Sequence, residues 1–281
     1  MMLRIAVAVV LVMASVDLSA QGRRGPGADR NFDSFGRSAE EWCRDVGDNR
    51  QYRTACDVRE QSLSRVDLLD VDSGGNGGIT VRGTPGSTTR LRFRIIGNAP
   101  TEREARELVS EVRVSADGGR VRASGPDSRD GRWWSVQIEI ETPRDTPLAL
   151  TTSNGGIALD GVSGRTRFET SNGGVSLVDV SGDVQGRTRN GGVKVVLDGS
   201  GWQGEGLNVE TTNGGVHLEL PAGYNAQLHT ETSNGGLDID FPITVRGRLS
   251  DSRRRIDTTI GSGGAPLRVR TVNSGVRIVR R

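Results

Sequence analysis

Aliphatic and polar residues alternate along this chain in short bursts, and each burst follows the same kind of turn. Seven turns are anchored at Asn76, Asn154, Asn172, Asn190, Asn213, Asn234 and Asn273, with Gly-Gly after the first six and Ser-Gly after the last. Three and five residues past each Asn stand two aliphatic residues: Ile79/Val81, Ile157/Leu159, Val175/Leu177, Val193/Val195, Val216/Leu218, Leu237/Ile239 and Val276/Ile278. Neighbouring side chains of a strand face opposite ways, so each turn predicts a strand with one buried face. Two residues before the Asn lies Thr in six copies: Thr152, Thr170, Thr188, Thr211, Thr232 and Thr271.

From Asn154 onward the anchors are spaced 18, 18, 23, 21 and 39 residues apart, the last interval being about two units. A single Asn-Gly between alternating runs suits a type I′ hairpin, with glycine supplying positive φ. The same residues recurring at one offset favour stacked coils instead, with like positions lying above one another in parallel register. The expected fold is therefore all-β, a β-solenoid built from ~18–23-residue coils. One short helix is expected near 101–109, where Thr101 and Glu104 form a capping box ahead of the apolar stripe Ala105, Leu108, Val109. Elsewhere the pattern predicts a strand at 91–96, a hairpin around Asp117-Gly118-Gly119, and a strand carrying Trp134, Val136, Ile138 and Ile140. The expected divisions are a signal peptide at 1–20, a disordered leader at 21–37 and a disulfide-bearing segment at 38–62. An irregular β part at 63–147 and regular coils at 148–281 follow.

Composition supports a thin core. The chain has 40 glycines in 281 residues, 33% hydrophobic residues and 4% aromatics, which disfavours a large α/β core. A net charge of +2 gives no general pull toward nucleic acid. Arg4, the apolar run 5–13 and the small residues Ser19 and Ala20 read as a secretory signal cut near Ala20. That run is too short to span a membrane, and no transmembrane span is expected elsewhere. Extracytoplasmic placement, in the periplasm, at the cell surface or secreted, follows once the signal is removed. The only two cysteines, Cys43 and Cys56, are then expected to pair. Closing their loop would constrain the unfolded chain by about 3 kcal/mol in the chain-entropy description. The alternative is two free thiols, one buried beside Trp42.

The secretory start, the Trp42-Cys43 to Cys56 segment, Gly-Gly-Ile-Thr-Val at Gly77 and the recurring Thr-Ser-Asn-Gly-Gly-Val resemble the bacterial putative adhesin family of unknown function. The likeness covers roughly 62–281. It implies a surface or extracytoplasmic role and transfers no catalytic residue.

Candidate chemistry is of two kinds. The repeated pairs Thr152/Asn154, Thr170/Asn172, Thr188/Asn190, Thr211/Asn213 and Thr232/Asn234 read as a structural ladder, with Asn amides bonding along the stack. The competing reading is a periodic surface for ice, sugar or mineral, which the inward parity of Thr disfavours. On the outward parity, in-register stacking brings His217, Glu219, Asp238 and Asp240 together beside Lys194. Acids and a base on the outer face of a parallel β-helix are the equipment of polysaccharide lyases, with Ca²⁺ bridging acid and substrate. A solvated face of cross-strand charge pairs explains the same residues. The loop 198–206 with Trp202, the Trp133-Trp134 pair and Arg253 to Arg255 are weaker binding candidates, and the glycine turns lack the lysine and helix of a phosphate loop. The sequence thus points to a non-enzymatic surface, adhesion or envelope protein. Its expected partners are cell-surface or envelope glycans or proteins, and no cofactor is implied. A carbohydrate-active, lyase-like enzyme is the alternative.

Overall fold

A computed structural model describes residues 35–48, 51–241 and 254–281. The signal peptide, most of the leader and Arg253 lie outside the described residues. The N-terminal part runs α1 (Ala39–Arg44), β1 (Arg53–Leu63), β2 (Leu69–Asp72), β3 (Ile79–Thr84), β4 (Thr89–Ala99), α2 (Glu102–Glu111), β5 (Arg113–Asp117), β6 (Arg120–Ser124) and β7 (Trp133–Pro143). Strand pairs joined by the Asn turn follow: β8 (Leu148–Thr152) with β9 (Ile157–Asp160), β10 (Arg165–Thr170) with β11 (Val175–Val178), and β12 (Asp183–Thr188) with β13 (Val193–Val196). Then come β14 (Gly206–Thr211) with β15 (Val216–Leu220), β16 (Ala226–Thr232) with β17 (Leu237–Ile239), β18 (Arg255–Ile260), and β19 (Pro266–Thr271) with β20 (Val276–Arg280).

The chain is an all-β solenoid of two ten-stranded sheets. Strands that follow an Asn turn enter the first sheet, ordered β1-β4-β7-β3-β9-β11-β13-β15-β20-β17, and strands that precede it enter the second, ordered β18-β16-β19-β14-β12-β10-β8-β2-β6-β5. The coils pair in parallel, like position on like position: Val175 opposes Ile157 on one side and Val193 on the other. Val193 and Val195 lie in the core while Lys194 between them faces out. Antiparallel strands flank the parallel stack at the N-terminal end of the first sheet, β4 against β1 and β7, and at both ends of the second, β5 against β6 and β18 against β16, whereas the first sheet ends on β17, paired in parallel with β20.

The glycine turn works differently from a hairpin. Among the described residues the anchoring Asn residues have no positive φ, and of the glycines directly after them only Gly77 does. What excludes a side chain there is the neighbouring coil. A Cβ on Gly155, Gly173, Gly191 or Gly214 would stand 1.9–2.0 Å from the carbonyl oxygen of the equivalent glycine one coil away. That same carbonyl accepts the hydroxyl of the buried Thr two residues before the turn: Thr170 donates to Gly155 O at 2.8 Å, Thr188 to Gly173 O at 2.8 Å and Thr211 to Gly191 O at 2.7 Å. In the last copy Ser274 occupies the glycine position, and nothing in the structure explains how its Cβ is accommodated. The core uses the same economy once more, since Gly186 leaves the space that the Phe168 ring fills.

Three expectations are corrected. The coils do not stack in chain order, because β19 and β20 insert between β14/β15 and β16/β17. Charge explains the choice. With the insertion, Glu169, Arg187, Glu210, Arg270 and Glu231 oppose one another in alternating sign across the second sheet. Sequential stacking would set Glu231 directly against Glu210, and like charges opposite one another destabilise a sheet. A second helix, α1, accompanies the expected one, with Ser38 and Glu41 forming its capping box. Finally, Trp202 in the longer interval between Asn190 and Asn213 is not a surface contact residue: it is buried and donates its indole N–H to Gly182 O at 3.0 Å.

The coil order predicts selective cross-linking. Residues opposed on adjacent strands lie ~4.8 Å apart and those two strands apart about 9.6 Å, against a disulfide limit near 7 Å between Cα atoms. His217→Cys with Arg277→Cys is expected to oxidise to a disulfide, and His217→Cys with Asp238→Cys to remain reduced, as read by mass after thiol alkylation. The reverse outcome would restore sequential stacking.

Candidate functional site

The outer face of the first sheet carries one row of side chains across all ten strands. In spatial order it reads Glu60, Arg92, Glu139, Thr80, Ala158, Ser176, Lys194, His217, Arg277, Asp238. Charged residues occupy both ends and small ones the middle. The N-terminal end of the row is roofed by α1. Trp42, 3% exposed, packs beneath Arg92 and Arg94, whose guanidinium carbons lie 4.8 and 5.2 Å from its ring centroid. Arg94 also donates to Trp42 O at 2.6 Å and Arg92 to Arg37 O at 2.7 Å. Burial pulls the Arg94 guanidinium below its ordinary pKa, with the nearby Glu139 charge opposing that shift. The Cys43–Cys56 disulfide, with Cα atoms 5.8 Å apart, fastens α1 to β1 and so fixes this wall.

Between this wall and Lys194 and His217 lies a groove of about 770 Å³. Its floor is Gly156, Gly174 and Gly192 with Ala158 and Ser176. Glu219 stands at its rim, its Oε1 3.1 Å from His217 Nε2 and 3.8 Å from Lys194 Nζ. Asp238 and Asp240 lie elsewhere. The inserted β20 separates them from β15, and they face Arg277 at 3.4 Å and Arg280 at 3.6 Å. The five residues expected to converge therefore form two groups, Lys194/His217/Glu219 and the Asp238/Asp240 pair with its arginines.

The Toastrack family DUF4097 matches residues 135–278, half of the chain and every regular coil. The chain belongs to the Toastrack family. The match begins later than the 62–281 span of the adhesin resemblance. Among solved structures, this Toastrack chain is similar to a putative cell adhesion protein from Clostridium sporogenes (11% identity, 80% of this chain and 100% of that one, TM-score 0.42). It is also similar to a putative adhesin from Bacteroides fragilis (12%, 79% and 97%, TM-score 0.35) and a putative lipid binding protein from Parabacteroides distasonis (10%, 79% and 96%, TM-score 0.32). Likenesses this distant carry no functional argument. No curated protein matches the chain.

The Asn and Thr residues of this chain's repeat are occupied with each other and the backbone. One unbroken chain of side-chain amides runs Asn234→Asn273→Asn213→Asn190→Asn172→Asn154→Asn76, each Nδ2 donating to the next Oδ1 at 2.7–3.0 Å. Thr152, Thr170, Thr188, Thr211, Thr232 and Thr271 are all buried. Their hydroxyls present no surface to a ligand. The other candidates are also engaged: Trp134 donates to Pro126 O at 2.8 Å, Trp133 meets Tyr52 edge-on at 4.5 Å, and Arg255 pairs with Asp257 at 2.8 Å. Among the described residues no three His, Cys, Asp or Glu side chains gather as a metal site, and no helix is long and apolar enough to cross a membrane. The α1 wall was missed from sequence, though the Ser38-x-x-Glu41 capping box ahead of Trp42 is the signal that finds it.

The second histidine lies apart, on β16, with His229 Nδ1 2.7 Å from Asp257 Oδ1 on β18. The His229 contact, then that of Arg255, hold the Asp257 carboxyl below its usual range against the effect of burial. A depressed carboxyl contributes stability that is present above its unfolded pKa, about 4, and is lost as pH falls through the folded value. Asp257→Asn is therefore expected to flatten the loss of stability on acidification below about pH 4, measured by denaturant unfolding across pH. An unchanged acid slope would refute the pairing.

Proposed function

We propose that this Toastrack protein is a secreted or envelope-associated, non-enzymatic binding scaffold of the adhesin type, with the groove on the first sheet as its contact surface. The observation that carries this reading is the position of β20. It puts Arg277 between His217 and Asp238 and draws Asp238 and Asp240 into ion pairs. The converging acids on which a lyase-like reading depended are thereby separated. A disulfide between Cys43 and Cys56 supports an oxidising, extracytoplasmic setting. Solenoids suit contact functions because stacking extends a continuous face without enlarging the core.

Cell fractionation followed by incubation of the purified protein with acidic polysaccharides, with and without Ca²⁺, tests the reading. The protein is expected outside the cytoplasm, leaving polymer length unchanged. Release of unsaturated oligosaccharides would overturn the non-enzymatic reading and return attention to Lys194, His217 and Glu219.

A further inference from the structure

We infer that the loop 198–201, together with Asn225, is a latch that seats the inserted coil β19/β20 as a separately detachable unit of the stack. The latch lies at the edge opposite the Asn turns and is independent of the groove and of any ligand there.

Connection lengths give the first argument. At this edge each coil passes to the next through a short link: 161–164 and 179–182 need four residues, whereas 197–205 uses nine. Part of that length makes an ordinary corner, with Gly182 N donating to Gln203 O at 2.7 Å and Gly206 N to Gly182 O at 3.2 Å. The rest meets Asn225 instead. Gly201 forms a parallel bridge with Asn225, and Ser200 O accepts the Asn225 backbone N–H at 2.9 Å and its Nδ2 at 2.8 Å.

Coil order explains why such a filler is needed. β19/β20 lies between β14/β15 and β16/β17, but it arrives through 261–265 from β18 and supplies no corner joining those two neighbours. The link 221–225 therefore rises two strand spacings, about 9.6 Å, rather than one. Ser200 and Gly201 occupy the height left open.

Both ends of the inserted coil are tied to this corner. At its entry Asn225 Oδ1 accepts Ser262 N at 2.7 Å and Ser262 Oγ at 3.0 Å. At its exit Arg281 Nη2 meets Asp198 Oδ1 at 2.8 Å, and Arg281 N donates to Leu220 O at 3.0 Å. Asp198, Ser262 and Arg281 are exposed, so these contacts can part before the core opens. Leu267, Val269, Val276 and Ile278 of the coil are buried, which makes the seated coil the ground state and the detached one a minor state.

Detachment leaves a stack that can close again. β16/β17 repeats the contact residues of β19/β20: Thr232 for Thr271, Asn234 for Asn273 and Leu237/Ile239 for Val276/Ile278. Seated on β14/β15 it would renew the same turn and core contacts, at the cost of setting Glu231 against Glu210. That contact also closes a shorter stretch of chain, 21 residues from Asn213 to Asn234 against 60 from Asn213 to Asn273. Stacked arrays open by neighbouring units rather than all at once, so the coil has both a release point and an alternative closure.

Amide hydrogen exchange of the full chain tests the latch by comparing the parent with Asp198→Ala combined with Asn225→Ala. Exchange in β19 and β20 is expected to rise at least tenfold while β12 and β13 keep the parent's rates. Ser262→Ala with Arg281→Gln removes contacts from the coil side and is expected to raise the same strands. Unchanged rates in β19 and β20, or an equal rise in all four strands, would overturn the inference. His217→Cys with Asp238→Cys, added to parent and latch variant under mild oxidation, reads the alternative closure. The pair is expected to stay reduced in the parent and to join over time in the variant, because only a detached β20 lets β17 reach β15. A pair that stays reduced in both would overturn the alternative seat.

Discussion

The whole structure hangs on how closely two coils approach at the turn. Where the first glycine of one repeat passes the carbonyl of the next, there is no room for a Cβ, and the carbonyl is taken by a buried threonine hydroxyl. This contact is short, directional and repeated, so it fixes the separation and register of neighbouring coils together. The amide chain from Asn234 to Asn76 runs along the same edge and reinforces that register. A slip of one residue would turn Val193 and Val195 to solvent and Lys194 into the core. Closeness at the edge thus decides what fills the interior.

Once the edge and the interior are committed, only the outer faces remain for recognition. On the second sheet that face is consumed by alternating charge, exemplified by Arg187 with Glu169 at 2.9 Å and Arg270 with Glu231 at 3.9 Å. Exposed pairs of this kind contribute about 0–1 kcal/mol each, yet their alternation selects which coil lies beside which. On the first sheet the middle of the face is left low by glycine, alanine and serine, and α1 turns that hollow into a groove. The disulfide fixes this wall to β1 as well as constraining the unfolded chain.

Much of the fold was legible because its information is local. Parity read from Val193, Lys194 and Val195 identifies the buried face, and the constant offset from each Asn identifies parallel stacking. The order of the coils was harder, since seven near-identical turns make every coil an acceptable neighbour for every other. What breaks that degeneracy is the sign of outward charges such as Glu210, Arg270 and Glu231, a weak and nonlocal signal. Chain-local rules make glycine a source of positive φ, whereas its cause here lies in the equivalent turn of the neighbouring coil, as where Gly173 meets the Gly155 carbonyl. For the site, the outward positions of Lys194, His217 and Glu219 were legible, but the separation of Asp238 and Asp240 followed from coil order and was not. The hollow beside them was invisible because it is made of absent side chains and of a helix that packs from outside the repeat.

The most direct test compares adjacent glycines of one turn. Gly173→Ala places a Cβ against the Gly155 carbonyl, and Gly174→Ala places one 3.6 Å from its neighbour. Denaturant unfolding should show the first variant destabilised by about 3 kcal/mol or more, at or beyond the upper end of overpacking costs. The second should be unchanged or stabilised by a few tenths, through the smaller entropy of its unfolded chain. Equal losses in the two variants, or a larger loss at Gly174, would contradict the claim that close approach at the first glycine sets the register of the solenoid.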